Sequence, residues 1–304
     1  MICCLILTGV FVPVQAVEIG TPYEFSETRT PGDIFMSIRL LGALQLSADK
    51  VNGFSARELS GLAWDEDEQI LYAVSDDGFV AHLAPGFTGE VLTGTGFVRG
   101  DTVLVIGLEF PPRIERFRPD GGFIDNLVLP DYLADRSSYH DKESTIDALT
   151  FHASYGFIVA PQRPLVDIPP GYSGIYATDG NKWLYDALNN NSHTLGLETM
   201  PDGDLLVLER IYSSFFKPVT YALRKLNMDD IDGNIIPVSE VAHFSNHEGW
   251  AIDNFEGIAR HRGNRYFMVS DDNESIIQKT LLIYFEIVSD NGQVQEPDTV
   301  LNTP

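Results

Sequence analysis

The sequence repeats one short plan several times, and this repetition restricts the fold more than any other feature. Each copy has a small residue and an aliphatic one, an apolar strand, a turn rich in Asp, Gly or Asn, and a second apolar strand. Short strands rich in β-branched and aromatic residues, joined by such turns, are typical of β-hairpins. The copies start at Gly61, Gly94, Ala148, Gly196 and Gly257, of which the copy at Gly94 is the faintest.

The spacing of the copies predicts a β-propeller. The starts lie 33 to 61 residues apart, and repeats of about 40 to 50 residues that begin with a hairpin are typical of four-stranded propeller blades. We expect residues 35–46 to meet residues 281–288 and complete a sixth blade, so that no long sheet edge stays exposed. The predicted fold is therefore all-β, a six-bladed β-propeller of four-stranded antiparallel blades over residues 17–288. A two-sheet sandwich is the alternative, but it would not explain the repetition.

The two ends of the chain differ from the repeats. Residues 2–14 are apolar, too short a run to span a membrane, and Val14-Gln15-Ala16 has the small-x-small pattern that signal peptidase cleaves. Residues 1–16 are therefore predicted to be a signal peptide and the mature protein to be periplasmic or secreted; a buried N-terminal strand is the alternative. Both cysteines lie in this segment, so the mature chain would have no disulfide or thiolate. Residues 289–304 are polar and are expected to form a flexible tail.

The chain is strongly acidic. It has 44 acidic and 20 basic side chains and a net charge of −24. A nucleic acid would be repelled by this charge, whereas a cation would be attracted; a solvated acidic surface is the simpler explanation. We expect no nucleic-acid partner, no membrane span and a monomer.

The propeller geometry brings several of the acids together. Residues just before the first strand of a blade and just after its second strand converge at one mouth of the central channel. Carboxylates that converge repel one another unless a proton, an arginine or a cation neutralises them. Oxygen ligands without Cys favour Ca²⁺ or Mg²⁺ over zinc, although an Asp in such a turn often only caps its own backbone. The predicted metal ligands are Glu58, Asp76, Glu209, Glu256 and Asp271, with Glu109, Glu143 and Asp147 close by.

Two carboxylates and four other side chains are predicted to act on a substrate. Glu is a poor turn former, so Glu256 and Glu198 are the candidate catalytic residues. Arg57, Arg210, Asn254 and Asn273 are the candidate substrate-binding residues, and Arg210 could equally be a structural ion-pair partner. The chain has no Gly-x-Ser-x-Gly, His-Glu-x-x-His, P-loop or dinucleotide motif, so the corresponding enzyme classes have no support.

Several of these segments resemble the phytase-like family, also called the "esterase-like activity of phytase" family. The resemblance is carried by Asp253-Asn254-Phe255-Glu256-Gly257, Ser270-Asp271-Asp272-Asn273, Leu59-Ser60-Gly61-Leu62-Ala63-Trp64 and residues 202–210, and it runs from about residue 55 to residue 285. It implies an exported propeller with phosphoesterase or esterase activity. Where the family pattern has a Glu before the small-aliphatic pair, this chain has Asp147.

Three functions are consistent with these observations. The protein would be a calcium-assisted hydrolase of phosphoesters or esters, with Ca²⁺ lowering the pKa of a bound water. Alternatively it would bind a cation or small ligand without catalysis. A sugar-lactone hydrolase is the third candidate.

Overall fold

A computed structural model describes residues 17–49, 55–98, 103–109, 111–118, 120–141, 145–211, 219–275 and 277–288. The predicted signal peptide (1–16), the predicted tail (289–304) and Glu143 lie outside these residues. The described helices are short: one α-helix, α1 (Asp131–Ala134), and three 3₁₀ turns at Arg136–Ser138, Met228–Asp230 and Asn246–Glu248. None of them is long and apolar enough to cross a membrane.

The described strands form five antiparallel sheets, and each sheet is one blade of a propeller. Blade 1 contains β1 (Val17–Glu18), β5 (Leu59–Asp65), β6 (Ile70–Ser75), β7 (Phe79–Thr88) and β8 (Val91–Phe97). Blade 2 contains β9 (Leu104–Leu108), β10 (Arg113–Phe117) and β11 (Phe123–Leu127). Blade 3 contains β12 (Ile146–His152), β13 (Gly156–Pro161), β14 (Tyr172–Ala177) and β15 (Lys182–Asp186). Blade 4 contains β16 (Ser192–Thr199), β17 (Leu205–Ile211), β18 (Thr220–Leu226) and β19 (Val238–Ser245). Blade 5 contains β2 (Gly20–Pro22), β3 (Ile34–Phe35), β4 (Ile38–Leu46), β20 (Asn254–Arg260), β21 (Arg265–Asp271) and β22 (Leu281–Ile287).

The core is divided among the gaps between neighbouring blades, because a strand with both faces covered is apolar at successive positions. In β17, Leu206 and Leu208 pack towards blade 5, whereas Leu205 and Val207 pack towards blade 3. Other apolar clusters join blade 5 to blade 1, blade 2 to blade 3 and blade 1 to blade 2. These five interfaces close the described blades into a ring.

The described part of the chain forms five blades, so the predicted sixth blade is wrong. The predicted pairing itself is present: β4 pairs antiparallel with β22 along its length. However, β22 is already hydrogen-bonded to β21, so β4 completes blade 5 rather than a blade of its own. Four-stranded blades are otherwise consistent with the structure.

The copy predicted to start at Gly94 is also displaced. Gly94 lies in β8, an outer strand of blade 1 that pairs with β7. The next blade is described from β9, whose last residues lie beside the start of β12: the Thr145 hydroxyl donates to the Glu109 carbonyl oxygen over 2.6 Å. β9 therefore has the direction that the second strand has in the other blades. Three strands of blade 2 are described.

Candidate functional site

The first strands of four blades share one irregularity. In β5, β12, β16 and β20, one extra residue is inserted between two paired residues, forming a β-bulge. The small residues that begin four of the predicted copies directly follow these bulges. The bulged residues are Ser60, Asp147, Leu195 and Glu256. Bulges re-aim a side chain and are common next to active sites, so Glu256 and Asp147 occupy corresponding places in two blades.

The glycine after the bulge lets first strands come close to one another. A Cβ added to Gly257 would lie 2.9 Å from Val269 Cγ1 and 3.2 Å from the Gly61 Cα. Only a residue without a side chain fits at that separation. This close approach places Glu256 of blade 5 next to the first strand of blade 1.

Two aspartates lie where second strands end. Asp76 directly follows β6, and its N–H donates to the Glu58 carbonyl oxygen over 2.9 Å. Asp271 ends β21 and lies opposite Asn254, the first residue of β20. The start of one strand and the end of its neighbour therefore lie at the same end of the ring of blades, which is where the sequence predicts the mouth of a channel.

Five carboxylates meet at this mouth. Carboxylate oxygens of Asp76, Glu256 and Asp271 lie within 4.8 Å of one another, and so do those of Glu58, Asp271 and Asp272. We call these five residues the mouth cluster. The structure thus brings together four of the residues predicted as metal ligands, Glu58, Asp76, Glu256 and Asp271. Asp272 was not predicted, although it is adjacent to Asp271 in the Ser-Asp-Asp-Asn segment that the sequence singles out.

Backbone N–H groups and one arginine hold the cluster in place. Asp271 Oδ1 accepts from the N–H of Asn273 over 2.9 Å. Asp272 accepts from the Glu58 N–H over 3.2 Å and from Arg57 Nε over 2.8 Å. Two residues predicted to bind substrate therefore have local partners: Arg57 is ion-paired to Asp272, and the backbone of Asn273 supports Asp271.

Unfavourable backbone conformations gather at the same place. Glu58, Asn273 and Glu274 adopt left-handed conformations with φ of 53°, 46° and 49°. The N–H of Glu274 donates to Glu58 Oε1, so this strained turn of blade 5 is bound to blade 1. Non-glycine residues in this region cost free energy and cluster at functional sites.

Burial makes the ionised form of these carboxylates unfavourable. It raises the pKa of Glu256 to about 8, and the charge of Asp271 adds to the effect. Burial likewise raises the pKa of Glu58 to about 7, with Asp271 again contributing, and it raises the pKa of Asp271. Without another positive charge, the mouth cluster would therefore hold protons near neutral pH.

Arg210 and Asn254 connect Glu256 to blade 4. The Asn254 side-chain N–H donates to Glu256 Oε1 over 2.6 Å, and Arg210 Nη1 donates to Asn254 Oδ1. Arg210 lies opposite His193 in the β16–β17 pair, the place that corresponds to Asp271 in blade 5.

Asp147 extends the group of acidic residues towards blades 2 and 3. Burial raises its pKa well above the ordinary value, and the charges of Glu256 and Glu109 add to the effect. Its Oδ2 is buried without a hydrogen-bond partner among the described residues. The strand-start position is thus acidic in blades 3 and 5.

Glu209 does not join the mouth cluster. It lies opposite Thr194, one residue before Arg210, and successive side chains of a strand face opposite sides of the sheet. Its side chain is fully buried, and Oε2 pairs with Arg224 Nη1 at 2.6 Å. The structure therefore separates Glu209 from the other four predicted ligands and places it in a structural ion pair.

Glu198 lies at the other end of its strand. It is near the end of β16, where it is hydrogen-bonded to the N–H of Thr199 over 2.9 Å, and it lies beside Arg260, the last residue of β20. Glu256, in contrast, is near the start of β20. Burial raises the pKa of Glu198 to about 7, but the structure does not bring it together with Glu256.

The mouth cluster offers only oxygen donors, which suits a hard divalent cation. Calcium binds oxygen at about 2.3 to 2.6 Å, so ligands on opposite sides of the ion lie about 5 Å apart. Within each of the two groups the oxygens lie no more than 4.8 Å apart, which is close enough for one ion to contact all three carboxylates. The residues present could therefore hold a hard divalent cation such as calcium.

Some solved structures resemble this chain weakly. A PQQ-bound aldose sugar dehydrogenase from Streptomyces coelicolor is 12% identical, with 89% of this chain and 99% of that chain covered and a TM-score of 0.41. An inactive virginiamycin B lyase from Staphylococcus aureus with quinupristin is 10% identical, with 83% and 100% covered and a TM-score of 0.37. For a protein of unknown function from Bacteroides caccae the identity is 13% and the TM-score 0.31; the alignment covers 56% of this chain and 50% of that one, so this chain spans half of its length. No curated protein matches.

A family model gives the clearer result. The model "Phytase-like: Esterase-like activity of phytase" matches residues 94–274, which is more than half of the chain. The match includes Asp147, Arg210, Asn254, Glu256 and Asp271, and confirms the resemblance seen in the sequence. The chain therefore belongs to the phytase-like family.

Proposed function

We propose that this protein binds a divalent cation, Ca²⁺ in particular, at the mouth cluster and hydrolyses phosphoesters or esters there. The observation that carries the proposal is the convergence of Asp76, Glu256 and Asp271, which come from two blades and from distant parts of the chain. Converging carboxylates are costly without a counter-charge, and the family match makes ester hydrolysis the reaction to test first.

Each group at the mouth has a definite task in this proposal. Asp76, Glu256 and Asp271 would hold the cation, with Glu58 and Asp272 beside them around the shared Asp271. The cation would polarise an ester or phosphoryl oxygen and lower the pKa of a bound water. Arg57 holds Asp272 in place, and Asn254 holds Glu256. Glu198, at the far end of its strand, takes no part.

A non-catalytic cation site is the second candidate, and a specific observation favours it. Glu58, Asp271 and Asp272 accept hydrogen bonds from backbone N–H groups of the turns that bring them together. A cation bound to the same carboxylates would fasten blade 1 to blade 5 and would stabilise the fold without any reaction.

The first experiment separates these functions. The experiment uses residues 17–304, because we expect residues 1–16 to be removed on export. This protein would be purified without chelator, analysed for bound metal, and melted with and without Ca²⁺ or Mg²⁺. The same protein would be tested on p-nitrophenyl phosphate, phytate, short-chain p-nitrophenyl esters and a sugar lactone. A melting temperature raised by the cation, as binding to the folded state requires, together with turnover of an ester or phosphoester, supports the hydrolase.

A matched pair of variants tests whether the melting shift and the turnover arise at the mouth cluster. Glu256→Gln removes a cluster ligand, whereas Asp67→Asn removes an exposed carboxylate in the β5–β6 turn. The proposal expects Glu256→Gln to abolish both the cation-dependent melting shift and turnover, and Asp67→Asn to keep both. A cation effect without turnover of any substrate would favour the non-catalytic site, and the absence of any cation effect would refute both.

A further inference from the structure

The side chain of Asn254 lies between a cation and an anion. Its Nδ2 donates to Glu256 Oε1 over 2.6 Å. Its Oδ1 accepts from Arg210 Nη1 and, more weakly, from the Tyr221 hydroxyl at 3.5 Å. Both ends of the amide are therefore used within the protein.

The chemistry of the two neighbours allows only one orientation of this amide. A guanidinium can donate hydrogen bonds but cannot accept them, and a carboxylate that is ionised because it binds a cation can accept but cannot donate. If the amide were turned over, its N–H₂ group would face the Arg210 N–H and its oxygen would face the Glu256 carboxylate. Arg210 therefore fixes the orientation of Asn254, and Asn254 in turn fixes Oε1 of Glu256.

Fixing one oxygen matters because Glu256 is the bulged residue of its strand. A bulge releases a residue from the regular ladder, so the backbone alone constrains this side chain less than a paired position would. With Oε1 held by Asn254, the position of this oxygen is restricted relative to Asp76 and Asp271. The supporting residue, Arg210, comes from blade 4, so the position of Glu256 depends on two blades.

We propose that Arg210 and Asn254 are positioning residues that act in series on Glu256, rather than contacts for the substrate. This inference rests on the proposed cation site. A positioning role and a purely electrostatic role of Arg210 predict opposite changes in the affinity for the cation. As an isolated positive charge, Arg210 would repel a bound cation, and its removal would tighten cation binding; as a positioning residue, its removal weakens binding.

The test is a double-mutant cycle on residues 17–304, read by calorimetric titration with Ca²⁺. Asn254→Leu and Arg210→Met remove the hydrogen bonds with little change in size. We expect each single variant to raise the Kd for Ca²⁺ about tenfold, and the double variant to raise it no further, because residues that act in series are non-additive. The melting temperature of the cation-free protein, which a merely structural role would lower, should change little.

Controls for the change of residue type are available on the surface. Asn181 donates its side-chain N–H to Asp179 in an exposed turn, and Arg116 is ion-paired to Asp125. Asn181→Leu and Arg116→Met should leave the Kd unchanged. If either test variant fails to fold by circular dichroism, Asn254→Ala or Arg210→Ala replaces it.

The outcomes separate this inference from the proposed function. If the unmodified protein binds no cation, both fail. If it binds Ca²⁺ but the variants bind within twofold of it or more tightly, or if the two effects simply add, the series is refuted and the proposed function stands.

Discussion

Single-residue positions decide which acids of this chain can meet. Glu209 and Arg210 are neighbours in β17, yet Arg210 lies at the channel mouth with Asn254 and Glu209 is buried against Arg224. A shift of one residue along a strand moves a side chain to the other face of the sheet. The role of a residue in this fold therefore depends on which face of the sheet its side chain occupies, as well as on residue type.

The pH dependence of stability follows from the raised pKa values at the mouth. A carboxyl group whose pKa is higher in the folded than in the unfolded protein binds its proton more tightly when folded, so stability is full at low pH and falls as the pH rises. For Glu256 this window runs from its ordinary value to about 8, and for Glu58 to about 7. In chelator, the melting temperature should therefore fall between about pH 5 and pH 8.

Glu256→Gln provides the check, because glutamine does not titrate. It should reduce the fall by several degrees, and Asp67→Asn should not. A melting temperature that rises over this range, or an equal slope in both variants, would contradict the raised pKa of Glu256. Added Ca²⁺ should flatten the slope of the unmodified protein by stabilising the ionised cluster.

The buried Glu209–Arg224 pair predicts a large effect of removing one partner. Arg224→Met would leave Glu209, which is fully buried, without its counter-charge, and breaking such a pair costs about 3 to 5 kcal/mol. Urea unfolding would measure the loss. Replacing both partners, with Glu209→Leu and Arg224→Met together, should recover most of the stability; a single variant that loses less than about 1 kcal/mol would argue against the pair.

Much of the site can be predicted from residue patterns, and the exceptions have physical reasons. Glu58, Asp76, Glu256 and Asp271 follow from the rule that strand starts and ends share a mouth. Glu209 was misplaced because its motif resembles that of Asp271 while its register differs by one residue. Asp272 satisfies the same rule, because it directly follows β21, but only the first acid of the Ser-Asp-Asp-Asn segment is predicted as a ligand. Its hydrogen bond with Glu58 of blade 1 leaves no local pattern in the sequence.

At the scale of strands and blades, the small residue after each bulge explains why the repeat was visible. Gly61, Ala148, Gly196 and Gly257 keep the same place in four first strands. The copy at Gly94 has no such role, because it belongs to an outer strand. The number of blades was overestimated because pairing of β4 with β22 can be predicted from the sequence, whereas the sheet that they complete cannot.

Gly257→Ala tests the close approach of the first strands. The new Cβ would lie 2.9 Å from Val269 and 3.2 Å from the backbone of Gly61, so β20 or β5 must shift. We expect a loss of about 1 to 3 kcal/mol, as for other overpacked positions, and weaker Ca²⁺ binding because Glu256 moves with the strand. Urea unfolding and calorimetry would measure the two effects.

Gly61→Ala is the matched control. A Cβ at Gly61 would meet Val74 at 3.8 Å, which is an ordinary contact, and its φ is not left-handed. This variant should change stability and Ca²⁺ affinity little. Equal losses at both glycines would show that the separation between the strands does not limit the site.

For the whole molecule, the net charge of −24 makes stability dependent on salt. Like charges on a compact chain repel one another, and ions at 0.1 M screen charges beyond about 10 Å. We expect the melting temperature of the Ca²⁺-free protein to rise by several degrees between about 10 mM and 500 mM NaCl.

Comparing NaCl with Ca²⁺ separates this general screening effect from cation binding at the mouth cluster. Millimolar Ca²⁺ should add a further increase at 500 mM NaCl, and Glu256→Gln should lose only that further part. If NaCl alone produced the whole effect, the mouth cluster would be an ordinary acidic surface.

The pairing of β4 with β22 has a consequence for synthesis on the ribosome. β4 ends at Leu46 and β22 begins at Leu281, so at 5 to 20 residues per second β4 waits roughly 10 to 50 seconds for its partner. During that time β4, a strand of mostly apolar residues, has an unpaired edge that can pair with other chains and aggregate. We therefore expect the nascent chain to need a holding chaperone until β22 emerges, and the ring to close in one late step.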